Sequence, residues 1–322
     1  MKYFVCLTLL CHSWTIFAAD VSSPRHAVIA ADKGHIVRYD KNGKPVWEFS
    51  DVGGVHRIQQ LENGNILCQQ GWQKIIEVNR DGKIVWSYDA ANSNGNSGKK
   101  LEIHAFQRLE NGHTMIVENG IGRVIEVDSA GRLQHEFKYK VKKTNAHRDV
   151  RMGYRLKNGH YLLCHEGEGR VTEYGPHGEI VWDYAVPLFG RKPAGGHGLN
   201  AFGNQVYNAV RLPSGNTLIA TGNGHSVLEV TPQREIVWSI HQNDLPGISL
   251  AWVTTLQPLP NGNLIIGNCH AGEKNPQLIE VNRRKEVVWT FHDFERFGNA
   301  TTNTQIISTN GNYFIAEAGV SR

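Results

Sequence analysis

Cysteine is scarce, with five residues in 322, and two of these, Cys6 and Cys11, fall in an apolar N-terminal stretch. The remaining Cys68, Cys164 and Cys269 are odd in number, so no disulfide framework can be read. Each closes an apolar run, as in Ile66-Leu67-Cys68, and reads as a small buried hydrophobe. Charge of one sign is also missing: 34 Lys+Arg against 30 Asp+Glu leaves +4, and the longest basic run is Arg283-Arg284-Lys285. That balance excludes nucleic acid as an expected partner. No Cys-x-x-Cys, His-Glu-x-x-His, Gly-x-Ser-x-Gly, Walker-type or Gly-x-Gly-x-x-Gly motif occurs, which argues against serine hydrolases and nucleotide enzymes. Beyond the N-terminus no apolar run approaches the roughly 20 residues that a membrane span needs.

What is present begins with a leader. Lys2 precedes an apolar run from Tyr3 to Phe17, interrupted at Cys11, His12 and Ser13, and Ala18-Ala19 then lead into polar sequence at Asp20. This pattern predicts a signal peptide over 1–19 and an exported chain, periplasmic or extracellular, with no transmembrane segment once the leader is removed. Residues 20–322 are then expected to form one domain. With 40% apolar residues and 34 glycines against 11 prolines, that domain reads as tight turns between strands.

The turns recur. Asn63-Gly64-Asn65, Asn111-Gly112-His113, Asn158-Gly159-His160, Ser214-Gly215-Asn216, Asn261-Gly262-Asn263 and Asn310-Gly311-Asn312 each separate two apolar runs, and their glycines are spaced by 48, 47, 56, 47 and 49 residues. Asn-Gly between apolar runs predicts hairpins, with type I′ turns as the expected geometry. A second strand pair follows each hairpin and ends in Trp47, Trp86, His135, Trp182, Trp238 or Trp289. Four short strands per repeat, six times over, predict an all-β, six-bladed β-propeller with four antiparallel strands per blade. Trp47 has no hairpin before it and Gly311 no Trp after it, so the N- and C-terminal segments should share one blade. Either His26–Ala31 or Tyr313–Ala316 could supply that blade's second strand. The tryptophans are expected to pack between blades.

Nearly all the length variation falls on one rim, where binding chemistry is expected. Eight residues before each turn glycine stand His56, His104, Arg151, Tyr207, Thr254 and Asn303, all polar. The residues one place earlier are Val55, Ile103, Val150, Val206, Val253 and Thr302, nearly all apolar. Such alternation turns the polar set toward the central channel. His56, His104, Arg151 and Tyr207 are the candidate catalytic residues: two imidazoles able to act as acid and base, a two-pronged donor for carboxylate, sulfate or phosphate, and a phenol. Candidate ligand-binding residues around them are Glu102, Asp149, Glu118, His165, Trp72, Asn268, His270 and His225. A mononuclear metal site wants three or four ligands, which His165 or Glu118 could complete in a narrow channel. The sequence therefore leaves a divalent metal open, and the ligand set unknown.

The segments Asp40-Lys-Asn-Gly43-Lys-Pro-Val-Trp47, Asn79-Arg-Asp-Gly82-Lys-Ile-Val-Trp86 and Gly175-Pro-His-Gly178-Glu-Ile-Val-Trp182 resemble the repeat of quinoprotein-like, or PQQ-repeat, propellers. Leu212-Pro-Ser-Gly215-Asn-Thr-Leu-Ile219, with Glu229 and Trp238, is similar to the six-bladed arylsulfate sulfotransferase propellers. Asn261-Gly-Asn-Leu-Ile-Ile-Gly-Asn-Cys-His270 with Pro276-Gln-Leu-Ile-Glu280 is similar to exported bacterial propellers of unassigned activity. Quinoprotein dehydrogenases use eight blades, a calcium site and commonly a vicinal disulfide, none of which is found here, so PQQ is not an expected cofactor. The sulfotransferase resemblance implies a channel histidine as transient sulfo acceptor, and a pectate-type lyase propeller resembles this layout in grouping histidines around one divalent metal. Two functions are thus carried forward. One is an exported enzyme, sulfotransferase-like or lyase-like, acting on an anionic or sulfated small molecule or sugar. The other is a non-catalytic propeller that binds a glycan, peptide or protein partner on its loop-rich face.

Overall fold

A computed structural model describes residues 25–313; the predicted leader lies outside the described residues. Six antiparallel sheets follow one another in chain order. Blade 2 pairs Ile58–Gln60, Ile66–Gln70, Lys74–Val78 and Ile84–Asp89, from the innermost strand outward. Blade 3 runs from Glu102–Arg108 to Leu133–Lys138, blade 4 from Gly153–Arg155 to Ile180–Ala185, blade 5 from Asn208–Arg211 to Ile236–Ile240, and blade 6 from Trp252–Pro258 to Val287–Phe291. Blade 1 closes the ring, with the C-terminal strand Asn303–Thr309 innermost and the N-terminal His26–Asp32, His35–Tyr39 and Pro45–Ser50 outside it. The ambiguity over its second strand is resolved in favour of the N-terminal segment. Asn312–Tyr313 pairs instead with the other edge of Asn303–Thr309.

The hairpin turns differ from expectation in all but one blade. In the loop Leu61–Asn65, Gly64 N–H donates to Leu61 O at 2.9 Å and Leu61 N–H to Asn65 O at 2.8 Å, and only Gly64 has positive φ, +82°. This is the three-residue loop in which a type I turn is followed by a left-handed glycine. Asparagine is favoured there for its side chain, not its φ: the Asn63 carbonyl oxygen accepts from Asn65 N–H at 2.9 Å, and Asn111, Asn158 and Asn261 repeat the bond. Of these six turns, only Asn310-Gly311, with φ of +53° and +89° between the paired Thr309 and Asn312, is a two-residue turn with both central φ positive.

Six apolar clusters lie one between each pair of neighbouring blades. The last joins Leu278 and Phe291 of blade 6 to Val28 and Ile306 of blade 1, so ring closure buries the same kind of surface as every other junction. Four of the five repeated tryptophans staple adjacent blades, the indole N–H reaching the outer turn of the next blade: Trp47 to Arg80 O at 2.9 Å, Trp86 to Ser129 O at 2.8 Å, Trp182 to Pro232 O and Trp238 to Arg283 O, both at 3.0 Å. In blade 3 His135 takes the place of Trp; its ring stacks on Tyr161 and its buried Nε2 has no partner.

Candidate functional site

The strand alternation read from sequence positions the site. Val55, Ile103, Val150, Val206 and Val253 are fully buried, and their neighbours His56, His104 and Arg151 meet although they come from blades 2, 3 and 4. His56 Nδ1 lies 2.8 Å from His104 Nδ1 and also accepts from Arg151 Nη1. His104 Nε2 is 3.0 Å from Glu102 Oε2, and His147 Nδ1 is 2.7 Å from the same oxygen. Trp72 roofs the group, its ring centroid 4.7 Å from that of His56, 5.1 Å from His104 and 5.2 Å from His147. Gly54 makes room for that indole, since a Cβ there would stand 2.6 Å from it. Arg151 donates through Nε to Glu166, whose other oxygen is 3.4 Å from Arg148 Nε.

Burial and charge set the protonation of this cluster. Desolvation, then the charge of Arg151, holds the His56 imidazole well below its usual pKa. Desolvation also lowers His104, to about 3, against the opposing pull of Glu102. The His104 ring beside its Oε2, and then His147, bring the Glu102 carboxyl down to about 2. At neutral pH the cluster therefore presents neutral His56 and His104 rings beside an ionised carboxylate.

The other candidates divide by what already holds them. Tyr207 is buried with an unpartnered hydroxyl and the Arg151 guanidinium 5.8 Å from its ring centroid. Thr254 Oγ1 and Thr301 Oγ1, at ring positions of other blades, are likewise buried without partners. Asp149 accepts from Gly120 N–H and Asn145 N–H, and burial raises its pKa. Glu118 is locked by Arg123 at 2.7 Å and by Asn96. His165 bonds Tyr174 through Nε2, leaving Nδ1 unpartnered. Asn268 ties Ser249 and Ala251, and His225 is clamped between Ala251 O and Ala201 O. His270 lies apart from the main cluster, beside His197, which in turn packs on Trp252. His147, Arg148 and Glu166 were not singled out from sequence. They sit on connections at the loop-rich rim, outside any count taken from the turn glycines; the signal that could have found them is the His147-Arg148 pair inside the variable segment 138–149.

A family model described as outer membrane protein assembly factor BamB, of the PQQ_2 repeat type, matches residues 13–152. The chain is a six-bladed β-propeller, similar to that family over those residues. No curated protein matches it. Among solved structures, a protein of unknown function from Bacteroides caccae is similar to this propeller over 87% of this chain and 97% of its own, at 23% identity and a TM-score of 0.70. A streptogramin B lyase is similar over 86% of this chain and 85% of its own, at 13% identity and a TM-score of 0.55. A catalytically inactive virginiamycin B lyase from Staphylococcus aureus with quinupristin is similar over 85% and 86%, at 12% identity and 0.55. At such identities the likeness of this propeller to these structures is one of fold.

Proposed function

We propose that this propeller is an enzyme acting on an anionic or sulfated small molecule or sugar at its loop-rich channel mouth. The observation that carries the reading is the meeting of His56, His104 and Arg151 from three separate blades under one tryptophan face. With its Nδ1 accepting, His56 keeps its N–H on Nε2, a donor suited to an anionic oxygen. Trp72 supplies a flat apolar wall for a ring, and Arg148, whose side chain is 41% exposed, adds positive charge on the same connection as His147. Tyr207 is the deeper proton donor. The test is a turnover screen of sulfated and uronic-acid compounds with the full chain: His56→Ala should abolish turnover of any hit, and Trp72→Ala should raise KM at least tenfold. Full turnover by His56→Ala would remove the reading.

A second reading, a binding module for a glycan, peptide or protein partner, is favoured by one observation. Burial holds the pKa of both imidazoles well below neutral pH, whereas a general acid or base works best with a pKa near the working pH. Saturable binding of a hit without turnover, lost in Trp72→Ala, would support it. Export is part of either reading, and it rests on the apolar leader and on the likeness to an outer membrane assembly factor. Among the described residues no helix is long and apolar enough to cross a membrane. N-terminal sequencing of the mature chain tests the leader, with a start near residue 20 expected.

A further inference from the structure

The donors and acceptors of the cluster conflict. The Arg151 guanidinium can only donate, so His56 Nδ1, which it contacts, carries a lone pair. His104 Nδ1, 2.8 Å from that nitrogen, is satisfied there only as an N–H. A neutral imidazole has one N–H, which leaves His104 Nε2 bare. That bare nitrogen stands 3.0 Å from Glu102 Oε2, which is itself an acceptor. Two acceptors facing each other inside the protein are costly unless something positive lies between them.

We propose that a divalent transition-metal ion resolves this conflict, bound by His104 Nε2, Glu102 Oε2 and His147 Nδ1. The inference deepens the function proposed above, because it places a cation within that same channel-mouth site. Ligand atoms of the three residues all lie within 4.8 Å of one another. The 2.7 Å and 3.0 Å separations around Glu102 Oε2 turn three donors toward one point, and they would widen to roughly 3.4 Å around a tetrahedral ion with donors at about 2.1 Å. Two imidazoles and one carboxylate are the donor set of zinc and related first-row ions rather than of calcium or magnesium. His56 acts behind this shell: by accepting from His104 Nδ1–H it fixes the tautomer whose Nε2 faces the ion, the orienting role that a second hydrogen bond plays for histidine ligands. Three protein ligands leave coordination positions for water or for an anionic oxygen of the ligand.

The test uses the full chain, treated with chelator, dialysed and titrated with zinc chloride alone by calorimetry; visible absorption of the cobalt(II) form reports the ligand field. One site of micromolar or tighter affinity is expected, weakened at least tenfold in Glu102→Gln and in His147→Ala. The His147 side chain is 45% exposed, so its removal should leave the fold intact, as circular dichroism and thermal melting check. His113→Ala, on a hairpin turn away from this cluster, should bind zinc as the native chain does. The proposal is overturned if the native chain takes up no zinc at micromolar concentration, as expected were His104 simply to hold a second proton, or if either Glu102→Gln or His147→Ala binds zinc unchanged. Because the readout is metal uptake, a negative result leaves ligand turnover or binding by the metal-free chain to be scored on its own.

Discussion

His56 and His104 place their Nδ1 atoms 2.8 Å apart, and Arg151 decides which of the two holds the hydrogen. The expected outcome in long-range proton–nitrogen spectra is His56 with a bare Nδ1 and an Nε2–H. Observation of a proton on His56 Nδ1 would refute the arrangement.

Arg151 and Glu166 form a buried pair, with side chains 5% and 3% exposed. Replacing Glu166 by Gln removes the carboxylate and leaves a guanidinium in a poorly solvated place. A loss of about 3–5 kcal/mol is expected, read from urea denaturation at pH 7. A loss below about 1 kcal/mol would mean that water already solvates Arg151.

The blade staples give a second stability test. Trp86→Phe keeps the ring but loses the bond to Ser129 O, at an expected cost of about 1 kcal/mol. Where His stands in place of the repeated Trp, His135→Trp puts an indole N–H in place of a buried Nε2 that has no partner. The expected result is a higher melting temperature; a lower one would show that the Tyr161 stacking geometry cannot accept the larger ring.

Asp32 links the closing blade to pH. Burial raises its carboxyl to about 6, despite hydrogen bonds from Thr302 and Lys33. The folded chain therefore holds the proton more tightly than the unfolded chain, and stability falls as pH rises from about 4 to about 6. The full effect is about 3 kcal/mol and persists above that window. Asp32→Asn should remove this slope in denaturation curves collected between pH 4 and pH 7, and an unchanged slope would assign it to another group.

The legibility of the site followed the repeat. His56, His104 and Arg151 were found by counting from turn glycines because a period-two strand with Val55, Ile103 and Val150 buried fixes where their neighbours point. Glu102 was found by the same count. Glu118 and Asn268 stand six residues after their turn glycines and His225 on the rim beyond, and the structure gives each of them protein partners. His147 and Glu166 obey no repeat, so nothing periodic marked them. The turn type was misjudged for a similar reason: Asn-Gly is compatible with two loop lengths, and the choice between them rests on the Asn63 side-chain bond to Asn65 N–H.

The amino-acid order by itself determined the six repeats, their four-stranded content, the shared closing blade and the identity of the polar ring, because all of these are local periodicities written into each module. Tertiary structure decided that the N-terminal strand, not the C-terminal one, fills the second place in the closing blade. It also brought Glu102 and His104 of blade 3 against His147 of the following connection. Such meetings depend on how far each loop reaches across the channel, and reach is a property of the closed ring rather than of any one repeat.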